Sequence, residues 1–246
     1  KLETIEISSF MHSGLSGSIS LPSSLTSIGE GAFESCSALT TATFESGSIL
    51  SSIGDSAFDG SGLTSISLPS TLASLGSYSF HQCASLTTVN FESGINLITL
   101  ESNTFSQSGL TSMALPASQR YIRNQTFKEC ENLSVLSFVS GTQIETIENE
   151  EFMTTGLSGS ITLPATLTSI GVYAFSDSSD LTSVIFPLGS ILATLGENSF
   201  AESGLSSFTA PESVLTAINL TAGPNKTVGG KSGVEVSLQR FAIHGT

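Results

Sequence analysis

A phenylalanine recurs along this chain at a nearly fixed interval, at Phe10, Phe33, Phe58, Phe80, Phe105, Phe127, Phe152, Phe175 and Phe200. The gaps are 23, 25, 22, 25, 22, 25, 23 and 25 residues, so long and short units alternate. A period this short marks a solenoid, in which one coil cannot bury its own apolar face and stacked coils share a core. Five residues before each phenylalanine stands an aliphatic residue: Ile5, Ile28, Ile53, Leu75, Leu100, Ile122, Ile147, Ile170 or Leu195. Eight before it stands Leu or Ile in every copy except that of Phe127, where Gln119 takes the place. Five or six after it comes Leu15, Leu39, Leu63, Leu86, Leu110, Leu133, Leu157, Leu181 or Leu205. These positions are the predicted core.

Each of those leucines opens a short segment such as Leu39-Thr40-Thr41-Ala42-Thr43-Phe44, whose alternation and β-branched content suit a strand buried on one face. Stacking places such strands side by side in a parallel sheet. The Ile28–Phe33 type of segment has apolar spacing nearer to a helical turn, and Gly29, Gly54, Gly76, Gly171 and Gly196 allow a tight backbone there. It is expected to form a short 3₁₀ or irregular turn on the opposite, convex side. Alternation of the unit length has a local cause. One kind of strand exits through Leu-Pro (Leu21-Pro22, Leu68-Pro69, Leu115-Pro116, Leu163-Pro164), and the other through a longer loop such as Phe44-Glu45-Ser46-Gly47-Ser48. Phe44, Phe91, Phe138 and Phe186 should then form a second ladder, interleaved with Leu21, Leu68, Leu115 and Leu163. The extra Gly17 and Gly159 lengthen two strands by one residue, as a β-bulge does.

The L-P-x-x-L-x-x-I-G-x-x-A-F-x-x-C-x-x-L unit resembles the BspA-type leucine-rich repeat of surface proteins from anaerobic bacteria and from protists such as trichomonads and Entamoeba. The resemblance covers about residues 1–211. It implies an α/β-type leucine-rich-repeat solenoid, mostly β, of nine coils of 22–25 residues. It further implies an extracellular or cell-surface adhesion and host-interaction module with no enzymatic activity, in a family that binds matrix or plasma proteins or partner microbes. Glu101, Arg123 and Glu148 replace the glycine in the middle coils, which are therefore expected to be irregular. Residues 212–246 fall outside the frame and read as a C-terminal cap or a linker, with Gly223–Gly233 as a turn and Val234–Leu238 as one more strand. The chain opens inside a repeat at Lys1, so secretory or anchoring signals are expected outside it.

A formal charge of −14 argues against nucleic acid or an anionic membrane surface as partner, since both require a basic patch. Cys36, Cys83 and Cys130 stand 47 residues apart, hence two coils apart, which is beyond the reach of a disulfide. They should be buried free thiols, and the same separation disfavours a metal site. His12 and His81 fall three coils apart, and no catalytic triad, zinc motif or phosphate loop is present, so no catalytic residue, metal or cofactor is assigned. Glu30/Glu34, Asp55/Asp59 and the run Glu145, Glu148, Glu150, Glu151 lie on the convex side as a solvated acidic face, the alternative being a carbohydrate-active solenoid using those carboxylates. A structural spacer is a further alternative.

Where charge is absent is more telling. No Asp, Glu, Lys or Arg occurs within any of the nine strand segments. Their outward positions include Thr41, Thr43, Ser65, Ser67, Thr88, Asn90, Ser112, Val135, Ser137, Ser183 and Ile185, a flat neutral face rich in hydroxyls. Ser and Thr are good solvent-facing strand residues in their own right, but such a face also suits docking of a protein partner, here a host or matrix protein or a partner cell surface, by a monomer. Sequons at Asn124, Asn132, Asn219 and Asn225 are candidate N-glycosylation sites.

Overall fold

In a computed structural model of the chain, residues 1–210, 214, 226–227 and 234–237 are described. The turn at Gly223–Gly233 apart from 226–227, Leu238, Asn219 and Asn225 lie outside them, as does most of the expected cap or linker at 212–246.

Nine coils stack, each a succession of strand, loop, short strand and turn. The long strands, among them Gly17–Leu21, Leu39–Phe44, Ser65–Leu68, Thr88–Phe91, Ser112–Leu115, Val135–Phe138, Gly159–Thr162, Leu181–Ile185 and Ser207–Ala210, run parallel. Register shifts at Gly17/Ser18 and Gly159/Ser160, with φ of 71° and 66° at the glycines, are the two expected bulges. A second sheet escapes the sequence reading. The conserved spacing of the aliphatic residue marks the end of a two-residue strand in every coil, such as Ser27–Ile28, Ser52–Ile53 and Tyr121–Ile122, again in parallel register. Val234–Ser237 is a strand as the alternation predicts, and it pairs antiparallel with Ser207–Ala210.

No helix occurs among residues 1–210, and the convex segment is a run of overlapping turns. In the coil of Phe33, the N–H groups of Ala32, Glu34 and Cys36 donate to the carbonyls of Gly29, Gly31 and Phe33. The intervening N–H groups of Gly31, Phe33 and Ser35 donate to Asp55, Ala57 and Asp59 of the next coil. This interleaving needs left-handed residues two before and two after the phenylalanine, and most of them are not glycine: Tyr78 (φ 58°), Gln125 (64°), Glu150 (55°) and Tyr173 (55°) among others. Each costs on the order of 1 kcal/mol, offset by the inter-coil hydrogen bonds that the conformation permits. The glycine four residues before the phenylalanine serves another purpose. A Cβ at Gly54 would lie 2.6 Å from the backbone nitrogen of Glu30, so glycine there lets neighbouring coils approach.

The core is one cluster running the length of the stack. All nine anchor phenylalanines form a continuous column, with ring centroids 5.1–5.7 Å apart and planes within 15° of parallel. Such contacts contribute roughly 0.5–1.5 kcal/mol each beyond burial. Leu21, Leu68 and Leu115 stand in register beside Phe44, Phe91 and Phe138, which gives the interleaved second ladder. Cys36, Cys83 and Cys130 are buried free thiols. Each Sγ donates to the carbonyl of the preceding coil's phenylalanine, Phe10, Phe58 or Phe105, at 3.0 Å.

The middle coils are irregular in a defined way. Both sheets break at one level, between Ser74–Leu75 and Thr99–Leu100 on one side and between Thr88–Phe91 and Ser112–Leu115 on the other. That level is where the close-packed glycine column ends and Glu101 begins. Thr104 and Thr126 brace the altered turns, each hydroxyl donating at 2.6 Å to the carbonyl of Glu101 or Arg123. Gln119 fills its leucine site fully buried, its amide nitrogen donating to the carbonyls of Ile98 and Tyr121.

Candidate interaction surface

Parallel pairing sorts the outward strand residues into two columns. In one, Thr41 pairs with Ser65, Ser65 with Thr88, Ser112 with Val135, and Ser160 with Ser183. In the other, Ser20 pairs with Thr43, Ser67 with Asn90, Ala114 with Ser137, and Thr162 with Ile185. Every residue assigned to the face from sequence is therefore brought onto it. Thr43, Ser65, Ser67, Thr88, Asn90, Ser112, Val135 and Ser137 are exposed, while Thr41, Ser183 and Ile185 are half-buried. Sheet breaks after Thr88–Phe91 and after Val135–Phe138 divide the face into three panels rather than one continuous plane.

A third column was missed. The residue after each opening leucine is Ser or Thr, and its hydroxyl points back along the stack. Thr40, Thr64, Thr87 and Thr111 each donate to a backbone carbonyl of the coil before, those of Gly17, Thr40, Thr64 and Thr87. Ser134, Thr182 and Ser206 continue the pattern onto Thr111, Gly159 and Thr182. The available signal was the invariance of a hydroxyl at that position, in contrast to the mixed residues of the two outer columns.

On the convex side several carboxylates join neighbouring coils. Asp55 accepts from the N–H of Ser77 at 2.9 Å, and Asp59 lies 3.1 Å from Nδ1 of His81. Glu148 accepts from the Arg123 guanidinium and from the N–H of Asn124, both at 3.0 Å. Glu150 pairs with Lys128 and accepts from Gln125, and the lysine holds its carboxyl below the usual range. Glu151 departs from the expected solvated face. It points inward and is fully buried, with Thr126 and the backbone of Glu148 beside its carboxyl but neither oxygen in a hydrogen bond of ordinary geometry. Burial pushes its carboxyl well above the ordinary value. Among the described residues no group of three or more His, Cys, Asp and Glu could hold a metal ion.

Of the two sequons that can be placed, Asn124 and Asn132 are both exposed. The side-chain oxygen of Asn124 accepts from the N–H of Asn149 at 3.0 Å. Thr126 of the same sequon is buried, its hydroxyl committed to the carbonyls of Arg123 and Glu101.

Comparison with known proteins agrees with this architecture. A model of the BspA type leucine rich repeat region matches in six copies, over residues 3–134 and 98–222. A leucine-rich repeat protein from Bacteroides ovatus has 27% identity and a TM-score of 0.63, over 81% of this chain and 56% of its own. The pneumococcal vaccine antigen PcpA has 24% identity and the same TM-score, over 80% of this chain and 51% of its own. A leucine rich cell surface protein from Faecalibacterium prausnitzii shares the fold at 19% identity and a TM-score of 0.52, over 80% of this chain and 62% of its own. The chain thus spans little more than half the length of these structures. No curated protein sequence matches it.

Proposed function

Since the chain belongs to the BspA-type leucine-rich repeat family, we propose that it is a non-enzymatic, extracellular or cell-surface binding module. Its partner is a protein of a host, a matrix or another cell, and it engages that partner as a monomer through the strand face. The observation that carries this reading is the contrast in charge. A chain of net charge −14 keeps every charged side chain off nine consecutive strands. The resulting columns of Ser, Thr and Asn, with Val135 and Ile185 as apolar points, offer many weak hydrogen bonds without a charge to desolvate. The hydroxyls of Thr40, Thr64, Thr87 and Thr111 are already committed within the stack. Contact with a partner therefore falls to exposed residues of the outer columns such as Ser65, Ser67, Thr88 and Ser112, the Thr43 hydroxyl being itself donated to the carbonyl of Ile19. Convex carboxylates that tie one coil to the next, as Asp55 and Glu148 do, favour a bracing role over a catalytic one.

The test is binding of the purified chain to immobilised matrix and plasma proteins and to whole cells, beside a variant with Thr41→Lys, Ser65→Lys and Thr88→Lys. The substitutions add charge to one outer column without entering the core. Binding by the parent and not by the variant supports the strand face, whereas equal binding by both sinks it. Hydrolysis of a polysaccharide that Glu148→Gln abolishes would overturn the non-enzymatic reading.

A further inference from the structure

The edge beside the strand face, where strands give way to loops, carries a second feature. Long loops beginning at Glu45, Glu92, Val139 and Pro187 rise as ridges, and the Leu-Pro turns between them form valleys. In the first two valleys a carboxylate reaches back across the floor. Glu45 accepts from the N–H of Ser23 at 3.1 Å, and Glu92 accepts from the N–H of Ser70 at 3.0 Å. The next two loops have Val139 and Pro187 where the glutamates stood. The corresponding turn residues are Ala117 and Ala165, whose N–H groups have no acceptor among the described residues. Those two valleys are open clefts. One, of about 410 Å³, is lined by Phe91, Glu92, Ile95, Pro116, Ala117 and Val139. The other, of about 450 Å³, is lined by Phe138, Val139, Thr142, Pro164, Ala165 and Pro187. The hydroxyl of Thr142 is likewise without a partner.

We propose that these two clefts, divided by Val139, form a docking groove for an uncharged proline-rich segment in the polyproline II conformation. Three observations point to this occupant. First, Glu45 and Glu92 show what satisfies each valley, namely an oxygen acceptor presented to the turn N–H. Second, the clefts repeat every two coils, about 9.6 Å at parallel strand spacing. A polyproline II chain repeats every three residues, about 9.3 Å, and leaves its carbonyls free of internal hydrogen bonds, so its i and i+3 carbonyls match the two donors. An extended strand repeats on one face at about 6.6 Å and falls out of step. An α-helix keeps its interior carbonyls for itself. Third, charge selects the sequence. Apart from Glu92, whose carboxylate is turned to the N–H of Ser70, the residues lining the two clefts carry no charge, so the groove calls for apolar side chains at every third position. The net charge of −14 around it favours basic flanks. This surface lies on the loop edge, where it borders the strand face at Asn90 and Ser137, and its reading does not depend on that of the strand face.

The probe is a fluorescein-labelled peptide of Leu-Pro-Pro triplets between lysines, read by fluorescence anisotropy, against a control with glycine in place of proline. Binding of the proline peptide and a loss of about tenfold or more with glycine are expected. Val139→Glu with Pro187→Glu rebuilds the carboxylate clamps and should weaken binding about tenfold or more, since the same oxygens now occupy the floor. Glu92→Val opens a third valley and should tighten binding of a longer peptide, a gain that misfolding cannot produce. The Thr41→Lys, Ser65→Lys, Thr88→Lys variant should bind the peptide as the parent does, which separates this site from the strand face. Absence of binding by the parent, equal binding by the clamp variant, or equal binding of the glycine peptide would each overturn the proposal.

Discussion

Replacing Glu151 should make the protein more stable, although the residue sits in the middle of the core. Its place in the coil, just before the anchor phenylalanine, is held elsewhere by Ala32, Ala57, Ala174, Ser9, Ser79, Ser199, Thr104 or Thr126. Only Glu151 brings a carboxyl there, fully buried and with neither oxygen in a hydrogen bond of ordinary geometry, although Thr126 and the backbone of Glu148 lie beside it. A partnerless buried polar group costs roughly 1–3 kcal/mol. Glu151→Thr removes that cost and supplies a hydroxyl that can reach the carbonyl of Glu148, as Thr126 reaches that of Arg123 at 2.6 Å. Against this stands the space left by the shorter side chain, about 1 kcal/mol. The net expectation is a gain of about 1–2 kcal/mol at pH 7. Its pH dependence follows from the raised carboxyl. The folded state holds the proton more tightly than the unfolded chain, so the parent's stability is greatest below the ordinary carboxylate value of 4.5 and declines as pH rises through the window above it. Glu150, held low by Lys128, slopes the opposite way, but it is present in both proteins and cancels in the difference. Urea titrations of parent and variant at several pH values between about 4 and 8 give the test. The variant's advantage should grow with pH. A variant less stable at pH 7, or an advantage that shrinks as pH rises, would refute the account of a neutral, unbonded Glu151.

Gly62→Ala should destabilise by more than about 2 kcal/mol, since its Cβ would collide with the carbonyl oxygen of Ser37. Gly47→Ala meets no neighbour and carries only the left-handed cost at φ 76°, about 1 kcal/mol; comparable loss for both in thermal melts would contradict close stacking as the reason for the first glycine. Burial pushes the Cys83 thiol up to about 12 and that of Cys130 to about 11. Iodoacetamide at pH 8 should therefore leave both unmodified in the native protein and label them in urea, and rapid native labelling seen by mass spectrometry would contradict it. Thr64→Val should lose about 0.5–1.5 kcal/mol, because the Thr64 hydroxyl joins two coils through the Thr40 carbonyl. Ser65→Val, on the outer column, should leave the melting temperature nearly unchanged, and equal losses would show that the columns do not differ in role.

The coil count, the strand face and the burial of the ladders were legible because each rests on a residue type repeated at a fixed offset. Phe33, Leu39 and Ile28 are unambiguous once aligned with their copies, and the bulges at Gly17 and Gly159 announce themselves as a single extra residue. Less legible was anything decided between coils. Ser27–Ile28 becomes a strand only because Thr4–Ile5 and Ser52–Ile53 lie on either side of it, and two residues carry no periodicity of their own. The left-handed positions at Tyr78 or Gln125 are set by interleaved hydrogen bonds to the next coil, not by the local preference of tyrosine or glutamine.

Glu151 and the open clefts share a deeper reason for having been hidden. In a stack, the fate of a side chain depends on what stands at the same offset one or two coils away. Glu148 and Glu151 look alike in sequence, yet Glu148 meets the guanidinium of Arg123 while Glu151 falls on the alanine and threonine column inside the turn. Likewise Val139 and Pro187 are ordinary loop residues until set against Glu45 and Glu92, when they register as two missing carboxylates and two N–H groups left without an acceptor among the described residues. A repeat is informative where it is kept, because the core requires it. Where it is broken at Val139 and Pro187, without loss of the core, the departure leaves backbone donors and apolar surface uncovered on the loop edge of the stack.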